Sequence, residues 1–381
     1  MPTEELLRNP ARTAAPAGLE SGRAPLAFHQ RLPGYRPTPL VDAPAIAGAL
    51  GVRRVLLKVE TDRLGLPAFK MLGASWATYQ VLLARLGHEP EWSTLDELRP
   101  HLAALGPLTL AAATDGNHGR AIARMAKLLG CASHIFVPAD MVAARVDAIR
   151  SEGAEVTVVD GTYDDAVVRS ALAQADDCLV ISDTSWEGYV DPPTWVIEGY
   201  ATIFAEVDDQ LDGTVGLAFL PTGVGALATA AVAHYRNAGA LTRLVTVEPS
   251  DADCVLESIK AGHLVEVPGP HRSCMVGLNC GKASPLAFEA LRPGLDWCMA
   301  IDDHRAEDAM RLLAAEGIAA GETGAAALAG AFGVVALGGA ADVGLTPETD
   351  VLAIVTEGAT DPVNYERVVG GPASEVQRAP C

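Results

Sequence analysis

Leu66-Pro67-Ala68-Phe69-Lys70-Met71-Leu72-Gly73-Ala74-Ser75-Trp76-Ala77 is the stretch that decides the fold, because it places Lys70 at the start of a predicted helix. Apolar residues then recur every three or four positions and predict a buried helix face: Leu72, Trp76, Tyr79, Leu83 and Leu86. A neighbouring stripe consists mostly of small residues: Lys70, Gly73, Ala74, Ala77 and Val81.

The stripe of small residues predicts room along the helix beside Lys70. A glycine inside a helix costs roughly 1 kcal/mol relative to alanine, so Gly73 requires a reason. Close approach of a cofactor to the helix is one such reason. The alternative is that Lys70 is a solvated lysine of the first helical turn, since most lysines are exposed.

Length and composition limit the possible classes of protein. The chain has 381 residues, of which 49% are hydrophobic, so two domains with sizeable cores are expected. The formal net charge of −20 argues against nucleic acid or an anionic membrane surface as a partner, because both require a basic surface. The first residues, from Met1 to Glu5, show no secretory signal, and no apolar run reaches about 18 residues. A cytoplasmic protein without a membrane span is the expectation.

The cysteines and other metal-binding side chains form no recognisable framework. The seven cysteines are scattered and include no CxxC pair. Cys254 and Cys280 are the pair that could form a bridge, and two reduced thiols are the alternative. No set of His, Cys or carboxylate residues has the spacing of a zinc site, so no metal is expected.

From about residue 108 onward, strand and helix patterns alternate. This alternation is typical of βαβ units, so the sequence predicts an α/β fold with parallel sheets. The predicted strands are 55–59, 108–113, 135–137, 156–159, 179–181, 215–220, 244–247 and 351–355. The predicted helices include 120–129, 142–152, 164–175 and 194–212, and the Ala- and Gly-rich residues 318–341 predict a packed helix near a ligand. Residues 1–27 are expected to form a loosely held arm.

A glycine-containing loop, Gly223-Val224-Gly225-Ala226, follows one predicted strand and opens a helix. This arrangement presents backbone N–H groups and a helix N-terminus to a phosphate. No lysine follows, as it would in a Walker A loop, and the third glycine of the dinucleotide fingerprint is missing. A single phosphate fits the loop better than a dinucleotide. The alternative is a tight turn between strand and helix.

Two carboxylates follow other predicted strands, at the strand ends where ligands bind in open α/β sheets. Asp115 belongs to the loop Thr114-Asp115-Gly116-Asn117-His118-Gly119, and Asp183 belongs to Ser182-Asp183-Thr184. Asp115 is a candidate base, with the loop amides holding a substrate carboxylate. For both aspartates the alternative is a helix N-cap. His118 could be a base, but a structural role is favoured.

The order of the lysine, the Gly-Asn-His-Gly loop and the phosphate loop resembles that of the fold type II pyridoxal-phosphate enzymes, the tryptophan synthase β-subunit group. Finer motifs are similar to those of the diaminopropionate ammonia-lyases over residues 28–369. The motifs are Pro33–Leu40, Phe69–Gly73, Ala113–Gly119, Asp183–Tyr189, Pro193-Thr194-Trp195, Val247-Glu248-Pro249, Ala252-Asp253-Cys254, Gly277–Gly281, Thr356-Glu357-Gly358 and Thr360-Asp361. Related serine and threonine dehydratases carry serine at the position of Asp115.

The resemblance implies two open, twisted, mostly parallel sheets flanked by helices. It implies a larger cofactor-binding domain of residues 1–72 and 190–381 and a smaller substrate-carboxylate domain of residues 73–189. Lys70 would bind pyridoxal phosphate covalently, which agrees with the need of a Schiff-base lysine for a desolvated site. The other implied contacts are the cofactor phosphate with Gly223, Val224, Gly225 and Ala226, the ring hydroxyl with Asn117, the ring nitrogen with Thr356, and the substrate with Thr114, Asp115, Gly116, Asn117 and His118.

The assignment of Thr356 is the one that departs from the pattern of the family. The family usually has serine one position earlier, where this chain has Val355. Thr356 is expected to replace the serine hydroxyl. Pro221-Thr222 also precedes the phosphate loop, in place of the usual Gln-Ala.

The reaction implied by the resemblance is elimination of ammonia from 2,3-diaminopropionate, a small amino acid, by a homodimer. Lys70 would remove the Cα proton on one face, and Asp115 would serve the opposite enantiomer. Asp183 would hold or protonate the leaving amine. One alternative is serine or threonine dehydration, or β-replacement, with the same cofactor. Another is a non-catalytic homologue that binds the cofactor or a metabolite.

Overall fold

A computed structural model describes residues 3–13, 22–114 and 116–376, so the prediction for Asp115 itself lies outside the described residues. The strands are β1 (Glu5–Arg8), β2 (Leu40–Asp42), β3 (Arg54–Val59), β4 (Thr109–Ala113), β5 (Ala132–Pro138), β6 (Glu155–Val159), β7 (Cys178–Val180), β8 (Leu217–Pro221), β9 (Arg243–Pro249), β10 (Trp297–Ile301) and β11 (Asp350–Val355).

The helices follow the strands in the alternation that the sequence predicts. They are α1 (Ala24–His29), α2 (Pro44–Leu50), α3 (Lys70–Leu86), α4 (Leu95–Ala103), α5 (Asn117–Leu129), α6 (Ala143–Ser151), α7 (Tyr163–Ala171), α8 (Asp191–Gln210), α9 (Ala226–Asn237), α10 (Cys254–Ala261), α11 (Pro285–Gly294), α12 (Asp303–Ala315), α13 (Glu322–Ala336), α14 (Ala340–Val343) and α15 (Pro362–Val369). Short 3₁₀ turns lie at Val276–Leu278 and Ala373–Glu375.

The chain divides into two compact units. The first comprises Met1–Ser21, Pro37–Asp62 and Ile203–Cys381, and the second comprises Gly22–Arg36 and Arg63–Thr202. Helix α8 belongs to the second unit up to Thr202 and to the first unit beyond it. Lys70 lies in the second unit. The division at residues 72 and 190 into cofactor-binding and substrate-binding domains stays a prediction.

The first unit contains a seven-stranded sheet in the order β1-β10-β9-β8-β11-β3-β2. Its inner pairs are parallel, whereas the pairs at its two edges, β1 with β10 and β2 with β3, are antiparallel. Helix α13, rich in alanine and glycine, packs against four strands of this sheet. Its small side chains allow close approach: a Cβ on Gly330 would lie 2.4 Å from a methyl carbon of Val247 in β9.

The second unit contains a four-stranded, wholly parallel sheet in the order β6-β5-β4-β7. Ala111, Ala113, Phe136, Ala166 and Val180 form one of its buried clusters. The α/β class and the mostly parallel sheets flanked by helices are therefore confirmed.

Each sheet has a point at which the strand order reverses. In the second unit the chain runs outward through β4, β5 and β6 and returns to place β7 on the other side of β4. In the first unit it runs through β8, β9 and β10 and returns to place β11 on the other side of β8. Ligands of open α/β sheets bind at the carboxyl ends of the strands at such reversals. The loops that follow β4, β7, β8 and β11 are therefore the candidate binding loops.

The expectation of a loosely held arm is wrong for two segments of residues 1–27. Residues 5–8 form edge strand β1, which pairs with β10, and residues 24–29 form α1. The sequence prediction also missed β10, because Trp297-Cys298-Met299-Ala300-Ile301 has neither polar alternation nor enrichment in β-branched residues. Among the described helices, none is both long enough and apolar enough to cross a membrane.

A buried ion pair lies within the first unit. The Lys58 ammonium is 2.7 Å from the Glu206 carboxylate, and both side chains are essentially inaccessible, with exposures of 0% and 1%. Lys58 also donates hydrogen bonds to the Thr38 carbonyl and to the Gln210 side chain. Because a buried charge is tolerated only when it is paired and hydrogen-bonded, this network fixes the extended segment around Thr38.

Candidate active site

Lys70 is the first residue of α3, and its ammonium group lies 2.7 Å from Oδ2 of Asp183. The Lys70 side chain is 19% exposed and the Asp183 side chain is 5% exposed. A freely solvated lysine is therefore excluded. The structure brings together two of the three residues predicted to be catalytic, and it does so within one unit.

Asp183 lies just beyond the carboxyl end of β7, in the loop predicted from the sequence. Its Oδ1 accepts a hydrogen bond of 3.3 Å from the Tyr163 hydroxyl. Burial raises the pKa of Asp183, but the charge of Lys70, a smaller contribution from His118 and the hydrogen bonds of Lys70 and Tyr163 more than offset that effect. The net result is a pKa well below the usual range, so Asp183 is a carboxylate at neutral pH.

The sequence prediction missed Tyr163. This residue begins α7, directly after Thr162, and Thr162 and Asp165 form a capping box. The capping box marks a helix start in the connection that follows β6 in the parallel sheet. The signal for Tyr163 was therefore its place after a strand, at the same edge of the sheet as Asp183.

The loop after β4 is held in shape by Thr114. Its hydroxyl oxygen accepts hydrogen bonds from the amides of Gly116, at 2.9 Å, and Gly119, at 3.0 Å. A Cβ on Gly119 would lie 2.4 Å from a methyl carbon of Thr114, so only glycine fits there. Gly116 has φ 151° and ψ −81°, a backbone conformation open only to glycine. Asn117, the first residue of α5, is half-buried.

His118 ties this loop to the end of β7. Its Nε2 atom lies 2.8 Å from the carbonyl oxygen of Ile181, two residues before Asp183, and the side chain is buried. The contact joins the start of α5 to the segment after β7 that carries Asp183. This geometry agrees with a structural role for His118.

Tyr200 of α8 fills the room that the small residues of α3 leave at Gly73. A Cβ on Gly73 would lie 2.6 Å from Cε1 and 2.8 Å from Cζ of Tyr200, and 2.8 Å from a methyl carbon of Val196. The interpretation of Gly73 as room for a cofactor is therefore wrong, because a helix packs closely against it. The predicted buried face is confirmed at Leu72, Trp76 and Tyr79, whereas Leu83 and Leu86 are only partly buried.

The predicted phosphate loop, Gly223–Ala226, follows β8 and ends on the first residue of α9, in the first unit. Gly225 has φ 101°, and a Cβ there would lie 2.8 Å from a methyl carbon of Leu291. Within the described part of the chain, the amides of Gly223, Val224 and Gly225 donate no hydrogen bond. Unused N–H groups that follow a strand and open a helix form an anion site.

Thr356 follows β11, the strand next to β8, so it lies at the same edge of the sheet as the phosphate loop. Its side chain is buried, and its hydroxyl donates a hydrogen bond of 3.2 Å to the carbonyl oxygen of Thr323. The oxygen still has a lone pair that can accept a hydrogen bond.

Two buried cysteines flank Gly223. Cys254 Sγ lies 3.8 Å from the Gly223 carbonyl oxygen, and a Cβ on Gly223 would lie 3.0 Å from Cys280 Sγ. Both residues are thiols. A bridge between them, one of the two possibilities in the sequence, is not formed.

Each unit thus supplies groups that fit part of pyridoxal phosphate. The second unit offers a lysine amine in a largely desolvated position beside a carboxylate. The first unit offers an anion site of unused amides for the phosphate. The donor types match the aldehyde and phosphate ends of the cofactor.

Comparison with known proteins agrees with this chemistry. The family model of pyridoxal-phosphate dependent enzymes matches residues 31–357. The chain is 37% identical over 362 residues to the diaminopropionate ammonia-lyase of Escherichia coli K12, covering 90% of this chain and 89% of that protein. It is 32% identical over 371 residues to the diaminopropionate ammonia-lyase of Salmonella typhimurium LT2, covering 91% of each.

A solved structure extends the comparison to three dimensions. The Escherichia coli diaminopropionate ammonia-lyase in complex with an aminoacrylate–PLP azomethine reaction intermediate superimposes with a TM-score of 0.87 at 33% identity, covering 97% of each chain. The match spans both units of the present chain. The chain is therefore a fold type II pyridoxal-phosphate dependent enzyme that belongs to the diaminopropionate ammonia-lyase family.

Proposed function

We propose that this enzyme eliminates ammonia from 2,3-diaminopropionate, as the D or L enantiomer or both, and yields pyruvate and two molecules of ammonia. The observation that carries the proposal is the buried Asp183 carboxylate beside Lys70, in a chain that is 37% identical to a diaminopropionate ammonia-lyase. The leaving group of this substrate is a cationic amine, and a fixed carboxylate is its natural partner.

Lys70 is the residue proposed to bind the cofactor, and Gly223, Val224, Gly225 and Ala226 are proposed to hold its phosphate. Asn117 and Thr356 would contact its ring. When bound, pyridoxal phosphate supplies an electron sink that makes the Cα proton of the amino acid acidic. Lys70, once it is a free amine, removes that proton on one face. The loop Thr114–His118 binds the substrate carboxylate through its amides.

Asp183 holds the β-ammonium group of the substrate in this proposal. Beside the Lys70 ammonium the pKa of Asp183 lies well below its usual range. When Lys70 is a neutral amine, the cationic β-amine of the substrate would be the positive partner that keeps Asp183 ionised, so Asp183 would be a poor proton donor but a strong acceptor. The β-amine arrives already protonated and needs an anion to orient it. Tyr163 donates to the other oxygen of the same carboxylate and so limits its rotation. We therefore favour the holding role over the protonating role.

Asp115 is proposed as the base for the opposite enantiomer. Its neighbours Thr114 and Gly116 belong to the loop that is shaped by the Thr114 hydroxyl. A carboxylate is a weak base in water, so this role requires the site to raise its pKa.

The test is pyruvate release from D- and L-diaminopropionate, compared with D- and L-serine and L-threonine, by the wild type and Asp183→Asn. Loss of a charge-assisted bond costs about 1.5–3 kcal/mol, so we expect kcat/KM on diaminopropionate to fall about 10- to 150-fold. The variant should lose much less on serine, because a hydroxyl leaving group carries no charge. Turnover of the hydroxy amino acids alone would reject the proposal in favour of a dehydratase.

The non-catalytic alternative is tested with the same protein. If the protein is not catalytic, the visible absorbance of the cofactor-loaded protein stays constant when any of these amino acids is added. A change on addition of diaminopropionate together with pyruvate release excludes this alternative.

Assembly and location are also proposals. A homodimer is implied by the family resemblance, and light scattering of the purified enzyme would measure its mass against the 39.6 kDa of one chain. A cytoplasmic location is likewise proposed. Fractionation of the source cells would test it.

A further inference from the structure

We propose that Tyr200 is a positioning residue whose hydroxyl holds the Lys70 side chain in the orientation that faces Asp183. The inference rests on the proposed function, in which Lys70 binds the cofactor. It concerns only residues of the second unit.

The first step of the argument is the contact between α3 and the first part of α8. A Cβ on Gly199 would lie 2.6 Å from the carbonyl oxygen of Leu72 and 2.8 Å from Cα of Gly73. The two helices therefore touch through their backbones. This contact places the neighbouring ring of Tyr200 directly against Gly73.

The second step is the direction of the ring. Lys70 and Gly73 are three residues apart and so lie on the same face of α3. Cζ of Tyr200, the carbon that carries the hydroxyl, is one of the two ring atoms closest to Gly73. Phe69 lies close to both residues: its ring centroid is 4.7 Å from that of Tyr200 and 5.6 Å from Nζ of Lys70. The Tyr200 hydroxyl end and the Lys70 amine thus share one small space.

The third step is the state of the hydroxyl. Tyr200 is fully buried, and its oxygen has no hydrogen bond of normal geometry to the described residues. Leaving a buried polar group unsatisfied costs about 1–3 kcal/mol, so such a group requires a reason. Burial raises the pKa of Tyr200, Lys70 acts in the opposite direction, and Asp183 adds to the increase. The hydroxyl is therefore neutral at neutral pH and cannot serve as the base.

A neutral hydroxyl suits the two states that Lys70 must adopt. It can accept a hydrogen bond from an ammonium group and donate one to an amine, whereas the Asp183 carboxylate can only accept. Tyr200 can therefore support Lys70 in both protonation states. The other titratable groups of this cluster are Asp183, Tyr163 and His118. Asp183 pairs directly with Lys70, and Tyr163 and His118 act on Asp183.

The test is Tyr200→Phe, which keeps the ring against Gly73 and removes only the hydroxyl. The readouts are the pH midpoint of the visible absorbance of the cofactor-loaded enzyme, and the dependence of kcat and KM on pH. We expect the midpoint to shift by about 0.5 unit or more and kcat to fall about 10-fold, with KM changed less than about 3-fold.

The matched control is Tyr235→Phe. Tyr235 is also buried and its hydroxyl also has no hydrogen bond of normal geometry to the described residues, but it lies on α9 in the first unit. This variant should keep the wild-type midpoint and kcat. If Tyr200→Phe folds poorly, 3-fluorotyrosine at position 200 replaces it as the probe. Fluorination makes the hydroxyl more acidic at nearly constant shape and should also shift the midpoint.

The outcomes separate the inference from the proposed function. If borohydride reduction of the wild type labels Lys70 but the Tyr200 variants keep the wild-type midpoint and kcat, the positioning role is wrong and the function stands. If the wild type is not labelled at Lys70, the proposed function fails first. A shifted midpoint at Tyr200 with none at Tyr235 supports the inference.

Discussion

Gly199 of α8 lies against Gly73 of α3, so closely that a single methyl group on Gly199 would fall 2.8 Å from the Gly73 Cα atom. The obstacles on the α3 side are backbone atoms, which cannot rotate away as a side chain can. The packing of α8 on the helix that carries Lys70 therefore depends on two glycines.

We expect Gly199→Ala to lower the free energy of unfolding by about 1–3 kcal/mol, because overpacking forces the helices apart. Urea denaturation of the purified enzyme measures the change. Gly48→Ala is the control: Gly48 also lies in a helix, but a Cβ there meets nothing within 4 Å. That variant should gain about 0.5–1 kcal/mol. Equal losses in both variants would contradict the packing argument.

The buried ion pair of Lys58 and Glu206 gives a second prediction. Lys58→Met should cost about 3–5 kcal/mol, because it removes the ammonium group that neutralises the buried Glu206 carboxylate. The double variant Lys58→Met/Glu206→Gln should recover at least half of that loss, because neither charge of the pair remains and the new amide oxygen can still accept the hydrogen bond that the Thr38 amide donates to Glu206. If the loss of stability in the double variant equalled the sum of the losses in the two single variants, this account would be contradicted. The exposed pair of Arg99 and Asp96 is the control, and Arg99→Gln should change stability by less than about 1 kcal/mol.

Asp253 makes stability depend on pH. Burial raises its pKa to about 6, whereas the unfolded value is near 3.8. The folded protein therefore binds the proton more tightly, and this contribution to stability is complete below about pH 4 and is lost as the pH rises through about 6.

We therefore expect Asp253→Asn to be more stable than the wild type at pH 7, by about 1 kcal/mol after allowance for partial exposure. The advantage should disappear between about pH 6 and about pH 4. Thermal unfolding across this pH range is the measurement. A constant difference between the two proteins at all pH values would show that the carboxyl does not titrate as stated.

Lys70→Ala should abolish both borohydride trapping of the cofactor and pyruvate release. It also removes the main charge that keeps Asp183 ionised, so the pKa of Asp183 should rise in that variant. Asp115→Asn should retain trapping and reduce turnover of D-diaminopropionate more than that of the L enantiomer. Equal losses on the two enantiomers would argue against Asp115 as a base for one face.

The positions of eight of the described strands, β3 to β9 and β11, could be predicted from the sequence, because apolar runs and turn residues are local signals. Asp183 could be predicted as a site residue for the same reason, since it follows a predicted strand. Its contact with Lys70 could not, because that contact depends on β7 returning beside β4, and strand order is not a local property.

Tyr200 shows the limit most clearly. The sequence indicated that something fills the space beside Gly73, but the choice between a cofactor and a side chain depends on which helix packs there. The edge strand β1 was missed for a related reason, because its partner β10 lies almost 300 residues later in the chain. Tyr163 and the ion pair of Lys58 and Glu206 likewise depend on contacts between distant segments.

Helix α8 carries Val196, Gly199 and Tyr200 on the face that packs against α3. A helix rotates as one piece, so a substitution that turns this part of α8 to relieve strain at Val196 or Gly199 also moves Tyr200. Heat resistance and turnover should therefore respond together to mutations along this helix. A library of variants selected only for survival on heating would accumulate inactive enzymes at these positions, whereas changes in α12 or α15 should affect only survival.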